Sequence, residues 1–365
     1  MSPSPNDPNL PGGYPVATRA DVPMRVILEQ GRFGRFGARL PWILLGIAVL
    51  VIFSLYSKYS SYIQPNPQIE EKFHSLNLTA TDKVAIISVE GAIMHNEGFA
   101  KWQIDQVAKD ENVKAVVLRI DSPGGTITGS DYLYHHLIRM TAEKKIPLVV
   151  SMGGLAASGG YYIAMAVGSE PETIYAEPTT WTGSIGVIIP HYDISALLEK
   201  WDIQDDSIAS NPLKMMGSPT RKQSPEIEAK EKEILRQLVE QSFNDFKDII
   251  RKGRPKLAND NEAMDKISTG QIFTAKQAKD LGLVDQLGFI EDAIGHAVKL
   301  AGLNPDEVRC VKYVRPRGLL TDVMEGPSSQ SQSLNLSGLL DLTAPRAYYL
   351  CTWLPAIITN RSVGN

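Results

Sequence analysis

Two short stretches of the 365-residue chain pair glycines with a sharp turn or a hydroxyl: "DSPGGT" at residues 121–126 and "AASGG" at residues 156–160. Acyl transfer needs a nucleophile and backbone N–H groups aimed at the oxyanion that forms when a carbonyl is attacked. Glycine lets a substrate approach the backbone with no side chain in the way. Ser158 supplies a hydroxyl, Gly159 one donor, and Gly124 or Gly125 the other. Each stretch alone also fits an ordinary strand-to-helix turn whose glycines serve only close packing. Their occurrence together is what points to chemistry at Ser158.

A serine attacks only when a base takes its proton. No histidine is well placed to act as that base, because His135 and His136 fall in an amphipathic helical pattern, and His191 and His296 sit in unrelated contexts. A lysine serves if burial among apolar groups keeps it neutral. Lys214, in "NPLKMMGSP", has apolar residues on both sides, and Lys222, in "TRKQS", stays open as an alternative. The two cysteines, Cys310 and Cys351, form no Cys-x-x-Cys and have no histidine at ligand spacing, so neither a zinc site nor a disulfide framework is expected, and no cofactor.

The elements that must position these groups follow an α/β pattern. "KVAIISVEGAI", "VKAVVLRIDSPGG", "KIPLVVSMGG" and "ETIYAEP" are β-branched runs separated by helix-length segments. Helices are predicted over residues 129–145, from Ser158 onward, and from Ser224 as N-cap with Pro225 in the first turn to about Gly253. "IFTAKQAKDLGLVDQLGFIEDAIGHAVKLAGL" reads as strand, helix, tight turn and a last helix. A hydrophobic content of 43% against 21% charged residues fits a globular chain with a sizeable core. A net charge of −4 with no basic stripe argues against nucleic acid as a partner.

Residues 40–56, "LPWILLGIAVLVIFSLY", carry no charge and would rise about 25 Å as a helix, reaching membrane thickness if residues 57–63 extend it. Arg19, Arg25, Arg32, Arg35 and Arg39 precede this run and only Lys58 and Lys72 follow closely, which places the amino terminus in the cytoplasm and the rest outside. A cleaved leader fits less well, because its charged region would be long and "SLYSKYSSYIQ" offers no A-x-A-like site. The expected organisation is a flexible cytoplasmic tail (1–39), a transmembrane anchor (40–63), a linker (64–82), a catalytic domain (83–320), a polar linker (321–338) and an apolar segment (339–365). The last is broken by Asp341, Pro345, Arg346 and Pro355, which disfavours a second span.

"RIDSPGGTITGSD", "GGLAASGGYYIAMA", "TGSIGVI" and "GLVDQLG" resemble, in order and spacing over residues 83–315, the hallmark segments of the signal peptide peptidase A family of serine proteases, the S49 type. The resemblance implies a fold like that of the Clp protease proteolytic subunit and the crotonases, built from repeated β-β-α units. It places the nucleophile on Ser158, the general base on Lys214 and a lysine-orienting role on Ser184 in "TWTGSIGV". It also implies an oxyanion hole from Gly124, Gly125 and Gly159. Peptide substrates such as signal-peptide remnants, with small or aliphatic residues preferred, would be cleaved outside the cytoplasm at the bacterial inner membrane. A homo-oligomeric ring would share its sites between subunits. Two other classes share the glycine frame: an acyl-CoA enzyme of the crotonase kind, which needs no serine nucleophile, and a catalytically silent membrane scaffold.

Overall fold

The computed structural model describes residues 40–63, 69–94, 97–315 and 348–350, which belong to two units, Met1–Pro67 and Gln68–Asn365. The expected tail, the polar linker and most of the apolar carboxyl-terminal segment lie outside the described residues.

In the first unit, α1 (Leu40–Ile63) is a helix of 24 residues. Every side chain described on it is exposed, among them Trp42, Phe53 and Leu55. Among the described residues no helix is long and apolar enough to cross a membrane, the side chains of α1 being described without a break only over residues 40–56.

The second unit opens with β1 (Glu70–Leu76), β2 (Asp82–Glu90), α2 (Phe99–Lys109), β3 (Val113–Ser122), β4 (Gly124–Thr126), α3 (Ile127–Lys144), β5 (Leu148–Ala157) and α4 (Gly159–Ala164). It continues through β6 (Ile174–Ala176), β7 (Trp181–Gly183), α5 (Ser195–Lys200), α6 (Pro225–Gly253), α7 (Pro255–Ala258) and α8 (Asn261–Ile267). It closes with β8 (Ile272–Thr274), α9 (Ala275–Asp280), β9 (Gln286–Leu287), α10 (Ile290–Leu300), β10 (Val308–Val314) and β11 (Tyr348–Leu350).

The main sheet runs β1-β10-β2-β3-β5-β6-β9. Its neighbours are parallel except for β1 on β10, and β7 joins the far end of β5 before pairing antiparallel with β8. The central strands are apolar over most of their length because both faces are covered. Alternate residues divide between two cores, as a period of two requires. Ala85, Ile87, Val116, Leu118 and Ile120 meet α2, α3, α4 and α6 through Ile104, Leu137, Ile163 and Phe246. Val84, Ile86, Ala115 and Val117 meet α10 through Ala293, Ile294, Ala297 and Val298.

The helix signals in the sequence are realised closely. α6 starts after Ser224 with Pro225 in its first turn, carries Glu226 and Glu228 there, and ends at Gly253. α3 starts after Thr126, whose side-chain oxygen accepts from the Gly129 N–H at 3.0 Å, two residues ahead of the expected Gly129. β1 occupies part of the stretch expected as linker. β10 inserts between β1 and β2, so Cys310 lies buried with its thiol pushed up to about 12 by burial, outside the range of a reactive thiol.

Candidate active site

Ser158 stands alone between β5 and α4, with φ 54° and ψ −114°. A non-glycine residue at positive φ is strained and persists only where its surroundings hold it. Here the Ser158 N–H donates to the Gly183 carbonyl at 2.8 Å, and its carbonyl accepts from the Tyr162 N–H at 2.9 Å. The side chain is 1% exposed, and its Oγ has no hydrogen-bond partner among the described residues. A buried hydroxyl without a partner costs about 1–3 kcal/mol, so its place in a core calls for a reason.

The glycines around it are packed backbone against backbone. Gly124 has φ +95°, and a Cβ on it would collide with the Tyr349 carbonyl oxygen and stand 2.6 Å from the Gly159 nitrogen. A Cβ on Gly159 would collide with Ser130 Oγ and lie 3.1 Å from the Gly125 nitrogen, and one on Gly125 would collide with the Ile93 carbonyl. The structure thus brings Gly124, Gly125 and Gly159 to one point beside Ser158.

Which N–H groups face that point follows from the pairing. The Gly124 N–H donates to Ser122 Oγ at 3.1 Å, and Ser122 in turn donates to the Gly91 carbonyl at 2.6 Å. Ile93 takes both neighbours of Gly125 on one side: its N–H donates to the Gly124 carbonyl at 2.8 Å, and its carbonyl accepts from the Thr126 N–H at 2.9 Å. In an extended chain the intervening residue points its own N–H and carbonyl the other way. Gly125 therefore faces β11, where Tyr349 is its register partner. Gly159, at the head of α4, has an N–H that no turn of its own helix can satisfy.

Ser184 follows Gly183, the residue whose carbonyl holds the Ser158 turn. It has φ 51°, is buried, and donates its N–H to the Gln271 carbonyl at 2.7 Å. Lys214 is not brought to the same place. It lies exposed in a short 3-10 turn, Pro212–Met215, capped by the Asn211 side chain, which accepts from the Leu213 N–H at 3.0 Å. Ser158 Oγ has no partner among the described residues, so neither Lys214 nor the equally exposed Lys222 reaches it within this chain. Both lie in a span, residues 186–230, that buries no residue at all. Tyr192, Leu197, Trp201, Ile203 and Ile208 stand exposed on that span.

Three contributors were not singled out in the sequence. Ser122 and Ile93 fix the direction of Gly125, and Tyr349 comes from the far end of the chain to face it. Ser122 was legible as part of the same turn, but nothing in the spacing of Ile93 or Tyr349 marks them.

What the arrangement can do is acyl transfer through a serine, with the Gly125 and Gly159 nitrogens close to one another beside it. Comparison with known proteins agrees. The family model described as Peptidase family S49 matches residues 140–304. A Synechocystis sp. protein named as a protease, slr0021, is 37% identical over 262 residues, covering 71% of this chain and 89% of that one. Protease 4 of Salmonella typhi is 35% identical over 228 residues, 60% of this chain and 35% of that protein. Serine protease SPPA, chloroplastic, of Arabidopsis thaliana is 31% identical over 303 residues, 78% of this chain and 42% of that protein. The chain thus spans less than half the length of these last two relatives. It belongs to peptidase family S49, of the signal peptide peptidase A type.

Proposed function

We propose that the chain is a membrane-anchored serine endopeptidase acting outside the cytoplasm on signal-peptide remnants or other membrane-associated peptides, with its site completed by a second copy of itself. Ser158 Oγ attacks the scissile carbonyl. Lys214 of a neighbouring copy takes the proton and returns it to the leaving amine, and Ser184 orients that lysine. The Gly125 and Gly159 N–H groups receive the oxyanion, after which water, deprotonated by the same lysine, hydrolyses the acyl-enzyme. The observation that carries this reading is the strained Ser158, whose buried hydroxyl has no partner among the described residues although the Gly125 and Gly159 nitrogens lie close to one another beside it. The exposed apolar span bearing Lys214 supports a contact with another copy, because a lysine acts as a base only when it is desolvated. The uncharged run of residues 40–56 and the arginines before it are what the anchor and its direction rest on.

Mixing tests the assignment. Ser158→Ala and Lys214→Ala chains are each expected to be inactive on a peptide substrate. When they are co-assembled in equal amounts around a closed ring, about a quarter of the junctions hold both an intact serine and an intact lysine. Activity near that fraction of wild type should return. A mixture as dead as its parents refutes the shared site, and turnover by either parent alone removes that residue from the mechanism.

A further inference from the structure

The turn that carries Lys214 makes most of its own hydrogen bonds. The Lys214 N–H donates to the Asn211 carbonyl at 2.9 Å, the Met216 N–H to the Leu213 carbonyl at 3.2 Å and the Ser218 N–H to the Met215 carbonyl at 3.0 Å. Gly217 reverses the chain at φ 77°, in the left-handed region that favours glycine, and its N–H donates out of the turn to Glu231 Oε1 on α6. The other carboxylate oxygen accepts from the Gln223 side-chain amide at 3.1 Å, so one carboxylate holds the loop at both of its ends. Glu231 is 6% exposed, whereas Lys214, three residues before Gly217, stands in solvent.

A buried carboxylate is costly, and its two N–H donors offset that cost. It makes no ion pair with Lys214 or any other cation among the described residues. A carboxylate against the lysine would hold it charged and unfit as a base, so a clamp on Lys214 has to act through the backbone beside it. The clamp is also rigidly mounted. α6 is one unbroken helix whose other half is buried in the core through Phe246, Ile249 and Ile250, and Glu231 stands about four turns, or about 22 Å, before Phe246. The helix carries the rigidity of the core out to a span that buries none of its own residues.

We propose that Glu231 is a positioning residue for the reaction: it holds the Lys214 turn where the lysine can reach a serine, and Gln223 completes the hold. The proposal rests on the reading of Lys214 as the general base. A lysine stem is flexible, so its reach is set by where its backbone is held, and a misplacement of about 1 Å can cost about 10²-fold in rate.

Steady-state kinetics on a peptide substrate test it, with sedimentation velocity run on the same full-length chains. Glu231→Ala should lower kcat by about 10- to 100-fold while KM stays within about twofold and the assembly matches the parent's. Glu231→Gln keeps one of the two acceptors and should fall between, and it preserves the test if the alanine variant does not fold. Adding Gln223→Glu to Glu231→Gln exchanges donor and acceptor across the same gap, and should bring kcat back to within about threefold of the parent. Four results each overturn the proposal: a Glu231→Ala kcat within about twofold of the parent, a loss that falls on KM instead, a loss that tracks dissociation of the assembly, or an exchange no better than Glu231→Gln alone. Lys214→Ala judges the base separately. If it is inactive while Glu231→Ala is unimpaired, only the positioning role falls, whereas a Lys214→Ala chain that turns over like the parent removes the base and this proposal with it.

Discussion

Gly159→Ala perturbs the site by one methyl group, and the structure says where that methyl must go. Its Cβ would collide with Ser130 Oγ and lie 3.1 Å from the Gly125 nitrogen and 3.2 Å from the Gly124 Cα. Ser130 is fully buried, and its hydroxyl donates to the Thr126 carbonyl at 3.0 Å, so it cannot turn aside without leaving that carbonyl unpaired. The other two neighbours are backbone. The head of α4 must therefore move away from β4, and the Gly159 and Gly125 N–H groups part. Displacing one oxyanion donor should lower kcat by about 10²- to 10³-fold, or about 2.7–4 kcal/mol, and overpacking should cost about 1–3 kcal/mol of stability. The assay is kcat and KM on a chromogenic peptide beside thermal melts, for Gly159→Ala, Ser130→Ala and the double variant. Ser130→Ala removes the nearest atom, so the double variant should be less destabilised than the sum of the two single changes by more than about 0.5 kcal/mol. A Gly159→Ala enzyme with kcat within about twofold of the parent would mean that the donors do not depend on this close approach, and the reasoning fails.

Asp285 accepts from Arg254 at 2.6 and 3.0 Å and from the Ile174 N–H at 3.0 Å, in a pair that is almost fully buried, so Asp285→Asn should cost about 3–5 kcal/mol in a denaturant melt. Burial alone would raise its pKa, but the Arg254 guanidinium outweighs that and holds the carboxyl below the usual range, as Lys83 does for Asp110. Stability from both is complete above the unfolded carboxylate value of about 3.9 and is lost as pH falls through the lower folded values, so wild type should destabilise steeply there and Asp285→Asn less so. For topology, protease added to sealed cells stripped of any outer membrane should digest residues beyond about 60 and spare a tag at residue 1, and loss of the tag would invert the assignment.

The sheet was legible because its strands are buried on both faces: "VAIISV", "AVVLRI" and "PLVV" have no other use for such runs. The long helices were legible from their caps, Ser224-Pro225 above all. β1, "EEKFHSL", was not, since it lies at the sheet edge, half exposed, and carries charges that read as linker. β10 was missed because its neighbours in the sheet come from the opposite end of the domain, and no local signal announces a strand that inserts between two others. The glycines of the site were legible as residue types, but their division of labour was not. That depends on Ile93 and Ser122 taking up the hydrogen bonds of the β4 turn and so turning Gly125 toward the groove.

The two halves of the proposed dyad differ most in what holds them. Ser158 is fixed by the core: its turn is pinned by Gly183 and Tyr162, its glycines meet three other backbone segments, and its helix is buried along its whole length. Lys214 belongs to a span none of whose residues is buried, and near its end Glu231 accepts from the Gly217 N–H and from the Gln223 side chain. A serine that attacks at a fixed angle needs rigid support, whereas a lysine acts as a base only once water is removed from it. One chain supplies the rigidity for the first and leaves the second in solvent. Under the proposed reading, the same contact that covers the exposed Trp201 and Ile208 of this span would desolvate a lysine and bring it to a serine. An unassembled chain would then present a framed nucleophile without a working base.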